Sequence, residues 1–311
     1  MKRWIGVCAA SVSLAAASPL AQSIQTRDGL RTYLLLQPAD SGPRPLVILL
    51  HGHMGSAKQA MTEGPLAAWK GISAREGVIV AALDGVQGPD GHTGWNDCRM
   101  DATGNPKTDD VGFVKAVIER LVRESHADPQ RVYLMGMSNG AMMTLRLALQ
   151  LDPAPAAFCA VCGLMTLDGG PCGHAAPRPI PALLIEGTAD PLVPFEGGQV
   201  HFGKKLRGGV SSAQQSVDFW RKAEGLDQVQ PVETVFPHLN PDDPTRAEKY
   251  VWGNGTRQVE FIRVEGGGHA EPTMAHAYGA LYRAFTGKQN HDFESAEEAW
   301  SFFKDKRSDS R

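Results

Sequence analysis

The chain has 311 residues, 42% of them hydrophobic and 21% charged, an ordinary globular composition that excludes disorder over most of its length. Its 31 Lys and Arg residues against 34 Asp and Glu residues give a net charge of −3, which argues against a nucleic-acid partner. At this size about three quarters of the unfolded surface can be buried, enough for one large core.

The first predicted element is an N-terminal leader. Two cations at residues 2–3 precede a short apolar run over residues 4–17, and the small-x-small pattern Ala21-x-Ser23 follows. This order is typical of a signal peptide, and the run is shorter than the about 20 residues of a bilayer-spanning helix. We expect residues 1–23 to be removed, with cleavage near Ala21 or Ser23 and export to the periplasm or outside the cell. An uncleaved anchor is the alternative.

After the leader, short apolar runs alternate with helical patterns. The apolar runs predict strands buried on both faces, at residues 46–50, 78–83, 132–135, 157–162, 182–185 and 259–264. Spacings of three and four residues predict helices at 111–122 (after a cap at Thr108 or Asp109), 142–149, 211–223, 273–285 and 296–303. An antiparallel strand over residues 30–36 is expected at the start. This alternation predicts an α/β fold, with a mostly parallel central sheet and helices on both faces.

The loops bear on domain organisation. The polar, turn-rich stretch 237–245 indicates a surface loop between two strands rather than a domain boundary. The candidate site residues given below span positions 51 to 269, so we expect residues 24–311 to form a single catalytic domain. Only about twenty residues separate the strand ending at Cys162 from the strand starting at Ala182. We therefore expect no large lid and an open site.

The strongest chemical signal is Gly-Met-Ser-Asn-Gly at residues 136–140. It directly follows the predicted strand 132–135 and directly precedes a helical pattern, the context of a nucleophile elbow. A turn tight enough to present Ser138 at its apex needs small residues on both sides, which Gly136 and Gly140 supply. The helix after the serine directs its amide N–H groups at the reacting oxygen. Ser138 is therefore predicted to be a nucleophile, with a purely structural turn as the alternative.

A serine nucleophile needs a base, and the base needs an orienting acid. Asp190 and His269 each follow a predicted strand, and their order after the serine is the one that accompanies such an elbow. We predict His269 as general base and then acid, and Asp190 as the group that orients it. The competing residues are Asp168 and Glu186 for the acid, and His276 and His291 for the base.

Acyl transfer also needs N–H donors directed at the developing oxyanion. We predict the backbone N–H groups of Asn139, directly after the nucleophile, and of His53, in the loop after strand 46–50. His51 and His53 could instead indicate zinc, but the sequence that follows lacks the rest of a metallohydrolase His-x-His-x-Asp-His motif. We therefore predict no metal.

Four cysteines remain after the leader, in a compartment that permits one or two disulfides. Three full pairings are open, and Cys162–Cys172 is favoured because both residues fall around one strand-to-loop turn. Cys159 and Cys162 have Cys-x-x-Cys spacing but lie in an apolar run, which favours buried core thiols over a redox or metal site. The fourth residue is Cys98.

Together these motifs resemble the polyhydroxybutyrate depolymerase-like esterases, relatives of the feruloyl esterases within the α/β hydrolases. The segments that carry the resemblance are residues 50–52, 94–97, 109–113, 128–133, 138–143, 187–195 and 266–269. The resemblance implies an α/β-hydrolase fold, serine-dependent hydrolysis of carboxylic esters, secretion and no cofactor. The family's pattern places the triad on Ser138, Asp190 and His269, in agreement with the assignment from the residues.

Beside the triad the chain departs from the family. Members often carry Thr-Trp-Pro after the histidine, whereas this chain has Ala-Glu-Pro at residues 270–272, so a carboxylate replaces an aromatic ring. The resemblance puts the loop around Trp95 beside the active site, where its indole can contact an acyl group; a buried core position is the alternative. Phe195 is predicted to line the same pocket.

The residues and the resemblance predict a secreted serine carboxylesterase for small-molecule or oligomeric esters, in the first place hydroxyalkanoate oligomers. Release of feruloyl or acetyl groups from plant cell-wall polysaccharide uses the same residues and is the alternative. A non-catalytic binding protein on this scaffold and a peptidase are alternatives of other classes. Neither nucleic acid nor, after removal of the leader, a membrane is an expected partner, and the oligomeric state is open.

Overall fold

The computed structural model describes residues 18–38, 42–167, 172, 177–202 and 205–308. The strands are β1 (Leu20–Thr26), β2 (Gly29–Leu36), β3 (Arg44–Leu50), β4 (Ile79–Leu83), β5 (Val86–Gln87), β6 (Thr93–Gly94), β7 (Ala127–Met137), β8 (Ala157–Val161), β9 (Ala182–Gly187), β10 (Gly198–Phe202), β11 (Lys205–Val210), β12 (Val232–Val235), β13 (Arg246–Asn254) and β14 (Arg257–Glu265). The helices are α1 (Trp69–Glu76), α2 (Asp110–Ser125), α3 (Asn139–Gln150), α4 (Ala213–Ala223), α5 (Ala280–Thr286) and α6 (Ser295–Phe303).

A large, mostly parallel sheet organises the fold. Its strand order is β1-β2-β4-β3-β7-β8-β9-β14-β13-β12, and the six strands from β4 to β14 are parallel to one another. Antiparallel strands complete both edges. The six apolar runs correspond to β3, β4, β7, β8, β9 and β14, and the early antiparallel strand is β2. The predicted α/β class is confirmed.

Helices cover both faces of this sheet, which is why its central strands are apolar on both sides. Helices α2, α3 and α4 pack on one face and α1 and α6 on the other. On the second face the rings of Tyr133 and Phe303 stack with centroids 4.9 Å apart, and Trp69 stacks on Phe303. None of the helices in the described part of the chain combines the length and the apolarity needed to cross a bilayer.

The predicted helix 273–285 is wrong over its first half, because helix α5 begins only at Ala280. Side chains from elsewhere take the backbone N–H groups that a helix would use. The carboxylate of Glu294 accepts from Met274 and Ala275, each at 2.7 Å, and the side-chain oxygen of Gln289 accepts from Tyr278 at 2.9 Å. The segment before α5 is consequently an extended loop.

The favoured disulfide is also wrong. Cys98 pairs with Cys172, with their Cα atoms 5.7 Å apart, while Cys159 and Cys162 are buried free thiols. Cys162 belongs to the packed face that carries α1 and α6. The Cys98–Cys172 pair lies beside Met142, which belongs to the opposite face, so the sheet separates the two thiols that the sequence favoured.

The start of β1 bears on the expected leader. Residues 1–17 lie outside the described residues, but β1 begins at Leu20 and pairs with β2 along its whole length. Cleavage at Ala21 or Ser23 would therefore remove residues that pair in the sheet. Cleavage between Ala17 and Leu20 keeps every pair, and we propose that position for the leader boundary.

Candidate active site

Three of the sequence-predicted residues converge at the carboxyl ends of neighbouring strands. Ser138 follows β7, Asp190 lies in the loop after β9, and His269 follows β14. The Ser138 hydroxyl lies 2.8 Å from His269 Nε2, and His269 Nδ1 lies 2.7 Å from Asp190 Oδ2. Because Asp190 accepts from Nδ1–H, Nε2 is the unprotonated nitrogen and accepts from the serine hydroxyl. The geometry is that of a nucleophile, a base and an orienting carboxylate.

The turn that presents Ser138 is strained. The serine has φ 56° and ψ −121°, in the left-handed half of backbone space that non-glycine residues rarely occupy. A Cβ on Gly136 would overlap the carbonyl oxygen of Gly140, and a Cβ on Gly140 would overlap that of Leu50. Both glycines are thus required by the close approach of β3, β7 and α3. Strain of this kind is found where function fixes a conformation.

Hydrogen bonds from neighbouring backbone groups hold Asp190 and His269 in place. The second oxygen of the Asp190 carboxylate accepts from the backbone N–H groups of Leu192 at 2.7 Å and Val193 at 2.8 Å. The backbone N–H of His269 donates to the carbonyl oxygen of Thr286 at 2.6 Å. Asp190 and His269 are both buried, which strengthens the interaction between them.

Of the four competing residues, the three that the structure describes do not bond Ser138. Burial raises the pKa of the Glu186 carboxyl well above its usual value, and that carboxyl accepts from the Gly163 N–H at 3.0 Å. The His291 ring bonds the carbonyl oxygen of Thr273 at 2.6 Å. Asp168 lies outside the described residues. His276 is exposed, ahead of α5.

The loop at residues 51–55 lies opposite the elbow. The buried ring of His51 donates from Nδ1 to the carbonyl oxygen of Gly52 at 2.7 Å and accepts at Nε2 from the Gly85 N–H at 2.9 Å. Burial lowers the pKa of His51, so the ring is a neutral support for the loop. Among the described residues the backbone N–H groups of His53 and Asn139 have no acceptor, as expected of donors that await a ligand oxygen.

The side chain of His53 lies beside a buried ion pair. Its Nε2 lies 3.1 Å from Asp90 Oδ2, and Asp90 is also paired with Arg207 of β11. Burial, and next the Arg207 charge, lower the pKa of His53 to about 4. The imidazole is therefore neutral at neutral pH and contacts the Asp90–Arg207 pair without an ionic bond of its own.

Trp95 does not line the site, and its predicted contact with substrate is wrong. The residue is 0% exposed, and its indole N–H donates to the carbonyl oxygen of His51 at 2.8 Å. Its backbone N–H donates to Asn139 Oδ1 at 2.7 Å, and its carbonyl accepts from Asn139 Nδ2 at 3.1 Å. Asn139 Nδ2 also donates to Asp97 Oδ2 at 2.6 Å. Trp95 therefore joins the two loops that carry the predicted oxyanion donors.

Phe195 also lies elsewhere. Its ring packs 6.3 Å from the ring of Phe261 in β14, and the Arg263 guanidinium lies over it. It is not part of the cavity wall at Ser138.

The cavity at Ser138 has a volume of about 610 Å³ and walls that the sequence interpretation missed. Its apolar and aromatic lining includes Met54, Leu66, Leu192, Phe202, Tyr278, Tyr282 and Phe285. Positions 278, 282 and 285 have the spacing that predicted a core-facing helix, so their pattern gave no sign of a ligand. Glu271, the residue that departs from the family pattern, lines the same cavity.

One group of three potential metal ligands occurs among the described residues, namely Cys162, Asp190 and His269, with ligand atoms within 4.8 Å of one another. Asp190 and His269 already bond each other, and burial raises the pKa of the Cys162 thiol well above its usual value, which disfavours the thiolate that metals need. The donor set therefore fits a metal poorly.

Residues 32–207 match the Abhydrolase_2 family, described as phospholipase/carboxylesterase. The chain is 31% identical to the putative esterase NocK of Nocardia uniformis subsp. tsuyamanensis, over 81% of this chain and 72% of that protein. It is 34% identical to feruloyl esterase B of Piromyces equi, over 73% of this chain but only 40% of that protein.

Solved structures share the fold. A thermostable esterase superposes with a TM-score of 0.56 at 16% identity, over 93% of this chain and 63% of that one. An acetyl xylan esterase from Aspergillus awamori superposes with a TM-score of 0.57 at 15% identity, over 86% of this chain and 98% of that one. At such identities the likeness shows the fold alone, which is that of the α/β hydrolases.

Proposed function

The chain belongs to the Abhydrolase_2 family of phospholipases and carboxylesterases, and from this premise we propose that it is a serine carboxylesterase with Ser138, His269 and Asp190 as its catalytic triad. The observation that carries the proposal is the continuous hydrogen-bonded chain from the Ser138 hydroxyl through His269 to Asp190, at 2.8 Å and 2.7 Å. A carboxylic ester hydrolase is what the family and its esterase relatives support.

In the first half-reaction the Ser138 oxygen attacks the ester carbonyl, and His269 Nε2 accepts the hydroxyl proton. Asp190 stabilises the imidazolium that forms. The backbone N–H groups of Asn139 and His53 donate to the tetrahedral oxyanion, and the N-terminus of α3 adds its positive dipole end. Collapse of the intermediate transfers the proton from His269 to the leaving alcohol and leaves an acyl-enzyme.

In the second half-reaction water replaces the alcohol. His269 Nε2 accepts a proton from the water as it attacks the acyl carbonyl, and the same N–H groups stabilise the second oxyanion. Collapse releases the carboxylic acid and returns the proton to Ser138. These residues can complete the cycle without a cofactor.

The cavity and the relatives narrow the range of candidate substrates. Rings of Phe202, Tyr278, Tyr282 and Phe285 line a space large enough for a planar aromatic acyl group. One relative is named a feruloyl esterase, and we propose hydroxycinnamoyl esters as the first substrate class. Hydroxyalkanoate oligomers are the second, favoured by the carboxyl of Glu271, an acceptor for a hydroxyl, in the same wall.

The test compares wild type with Ser138→Ala on p-nitrophenyl butyrate, methyl ferulate and a hydroxybutyrate dimer. We expect hydrolysis that Ser138→Ala abolishes, and covalent labelling of Ser138 by a fluorophosphonate. The faster of the last two substrates decides the substrate class. A folded wild type that neither hydrolyses any ester nor takes the label would instead support a non-catalytic binding protein.

The disulfide supports a proposal on location. A Cys98–Cys172 bond persists in an oxidising compartment, as expected of an exported protein. We propose that the leader directs export and is removed before Leu20. Mass spectrometry of the mature N-terminus tests both points.

A further inference from the structure

We propose that Glu271 is a specificity-determining residue whose carboxylate accepts a hydrogen bond from a hydroxyl group of the ester substrate. The role presupposes the esterase activity proposed above and adds a chemical feature to its substrate, namely a hydroxyl on the acyl group.

The carboxyl of Glu271 is buried and accepts from one side chain. The residue is 5% exposed and lines the cavity that contains Ser138, two positions after His269. Its Oε2 accepts from the Tyr278 hydroxyl at 2.6 Å, and among the described residues no other side chain donates to it. Its own backbone N–H and the charge of His269 are the remaining groups that favour its ionised form.

A carboxylate has about four lone-pair sites, so Glu271 can accept a further hydrogen bond. Burial raises the pKa of Glu271, and no lysine or arginine of the described residues pairs with it. A carboxylate in a largely apolar wall carries a desolvation penalty, which a further hydrogen bond from a bound hydroxyl reduces. A hydroxyl on a molecule in the cavity is a donor of the right kind, whereas an alkyl group at the same place leaves the penalty in full.

The carboxyl is also held in position. The carbonyl oxygen of Glu271 accepts from Gln289 Nε2 at 2.9 Å, and that of Pro272 accepts from the backbone N–H and the hydroxyl of Ser295, at 3.1 Å and 2.7 Å. The Tyr278 ring, whose hydroxyl donates to the carboxyl, packs on Tyr282 with centroids 4.3 Å apart. Because the backbone on both sides and the tyrosine donor are held in place, the acceptor can discriminate between ligands.

A general role toward the base is the competing explanation. Asp190 already accepts the Nδ1 proton of His269 at 2.7 Å, so Glu271 does not orient the imidazole. A purely electrostatic effect on His269 would change every substrate by the same factor. Recognition of a hydroxyl changes only the ratio between substrates that differ by that hydroxyl.

The experiment uses two matched pairs of esters, p-nitrophenyl 3-hydroxybutyrate with p-nitrophenyl butyrate and methyl 4-hydroxycinnamate with methyl cinnamate. The value of kcat/KM is measured for wild type, Glu271→Leu, Glu271→Gln and the control Glu265→Gln. Glu265 is an exposed carboxylate at the end of β14, outside the cavity. Thermal unfolding checks that each variant is folded.

In at least one pair we expect wild type to prefer the hydroxylated ester by about 10- to 100-fold, the worth of a hydrogen bond to a charged group. Glu271→Leu should bring that ratio close to one, Glu271→Gln should keep part of it through its amide oxygen, and Glu265→Gln should keep all of it. If Glu271→Leu does not fold, the test rests on Glu271→Gln, whose preference for the hydroxylated ester must be lower than that of wild type.

Three results overturn the role: a wild-type ratio near one in both pairs, a ratio that the Glu271 variants leave unchanged, or an equal loss on all four esters. The third would place Glu271 with His269 as a general electrostatic group. If wild type hydrolyses none of the esters and a fluorophosphonate does not label Ser138, the esterase proposal itself is refuted, and the role of Glu271 with it.

Discussion

Replacement of Asn139 by aspartate tests whether the hydrogen bonds beneath the elbow position the N–H that follows Ser138. The Asn139 side chain is 2% exposed, and its Nδ2 donates to Asp97 Oδ2 at 2.6 Å and to the Trp95 carbonyl at 3.1 Å. Asn139→Asp keeps the size of the side chain and the oxygen that accepts from the Trp95 N–H. It turns the donor into a second oxygen, directly against the Asp97 carboxylate.

The magnitude follows from what is left unpaired. The buried Trp95 carbonyl loses its side-chain donor, at about 1–3 kcal/mol. Asp97 Oδ2 keeps only the Arg99 guanidinium and faces a second carboxylate, so we expect a total loss of about 3–5 kcal/mol in the free energy of unfolding. The repulsion also moves the backbone of residue 139. Loss of one oxyanion donor costs about 10²- to 10³-fold in kcat, and we expect a fall of that order with little change in KM.

The assay is the kcat and KM for p-nitrophenyl butyrate together with thermal unfolding. Asn105→Asp is the matched control, because Asn105 Nδ2 donates to the other oxygen of the same Asp97 carboxylate at 3.0 Å, away from the elbow. It should cost similar stability and much less kcat. The double variant Asn139→Asp with Asp97→Asn restores a donor between the two side chains and should recover at least about tenfold in kcat.

The reasoning is refuted if folded Asn139→Asp keeps its kcat within about twofold of wild type. It is equally refuted if the double variant is no faster than Asn139→Asp, or if Asn105→Asp loses as much kcat as Asn139→Asp. Each result would mean that the network stabilises the fold without positioning the N–H.

Other regions of the fold give further expectations. Burial raises the pKa of Glu224 to about 7, so the folded state binds this proton more tightly than the unfolded chain does. The bound proton contributes up to about 3 kcal/mol to the free energy of unfolding. That contribution is full below about pH 4.5 and is lost as the pH rises through about 7. Thermal unfolding from pH 4 to 8 should show that loss in wild type and a flatter profile in Glu224→Gln; parallel profiles would contradict it. Replacing Cys98 and Cys172 by serine should lower the free energy of unfolding by about 2–4 kcal/mol, and a reductant should affect wild type only, as denaturant titrations can show. Gly140→Ala should cost about 3 kcal/mol or more because its Cβ would overlap backbone oxygens, whereas Gly71→Ala, whose Cβ meets nothing within 4 Å, should be neutral or slightly stabilising in the same titration.

The sheet and the converging residues follow from local sequence signals. Central parallel strands are covered by helices on both faces, so they appear as unbroken apolar runs, and their carboxyl ends must meet at one edge. Ser138, Asp190 and His269 each stand directly after such a run, which is why chain order and strand ends were enough to bring them together. The glycines of the elbow are fixed by close backbone approach, a constraint that also shows in the sequence.

The walls of the cavity could not be predicted from local sequence signals, because side chains distant in the sequence decide their conformation. Glu294 and Gln289 take the N–H groups of the segment before α5 and keep it from becoming helical. An aromatic side chain near a catalytic motif gives no sign of whether it faces ligand or core. The resemblance predicts that Trp95 lines the pocket. In the structure the residue is fully buried and its indole donates to the His51 carbonyl, so it supports two loops instead.

Substitutions beneath the elbow and substitutions in the cavity wall should have different effects. The loops that hold the proposed oxyanion donors are joined by buried contacts among Trp95, Asn139 and Asp97, so we expect a substitution there to alter the rate for every ester. The segment with Glu271 and Tyr278 contributes to the wall, and within the described residues neither side chain bonds Ser138, His269 or Asp190. A substitution there should alter the choice of ester while the hydrogen-bonded chain to Ser138 stays intact. We therefore expect the substrate range of this chain to vary through residues 271–285 while the proposed triad stays unchanged.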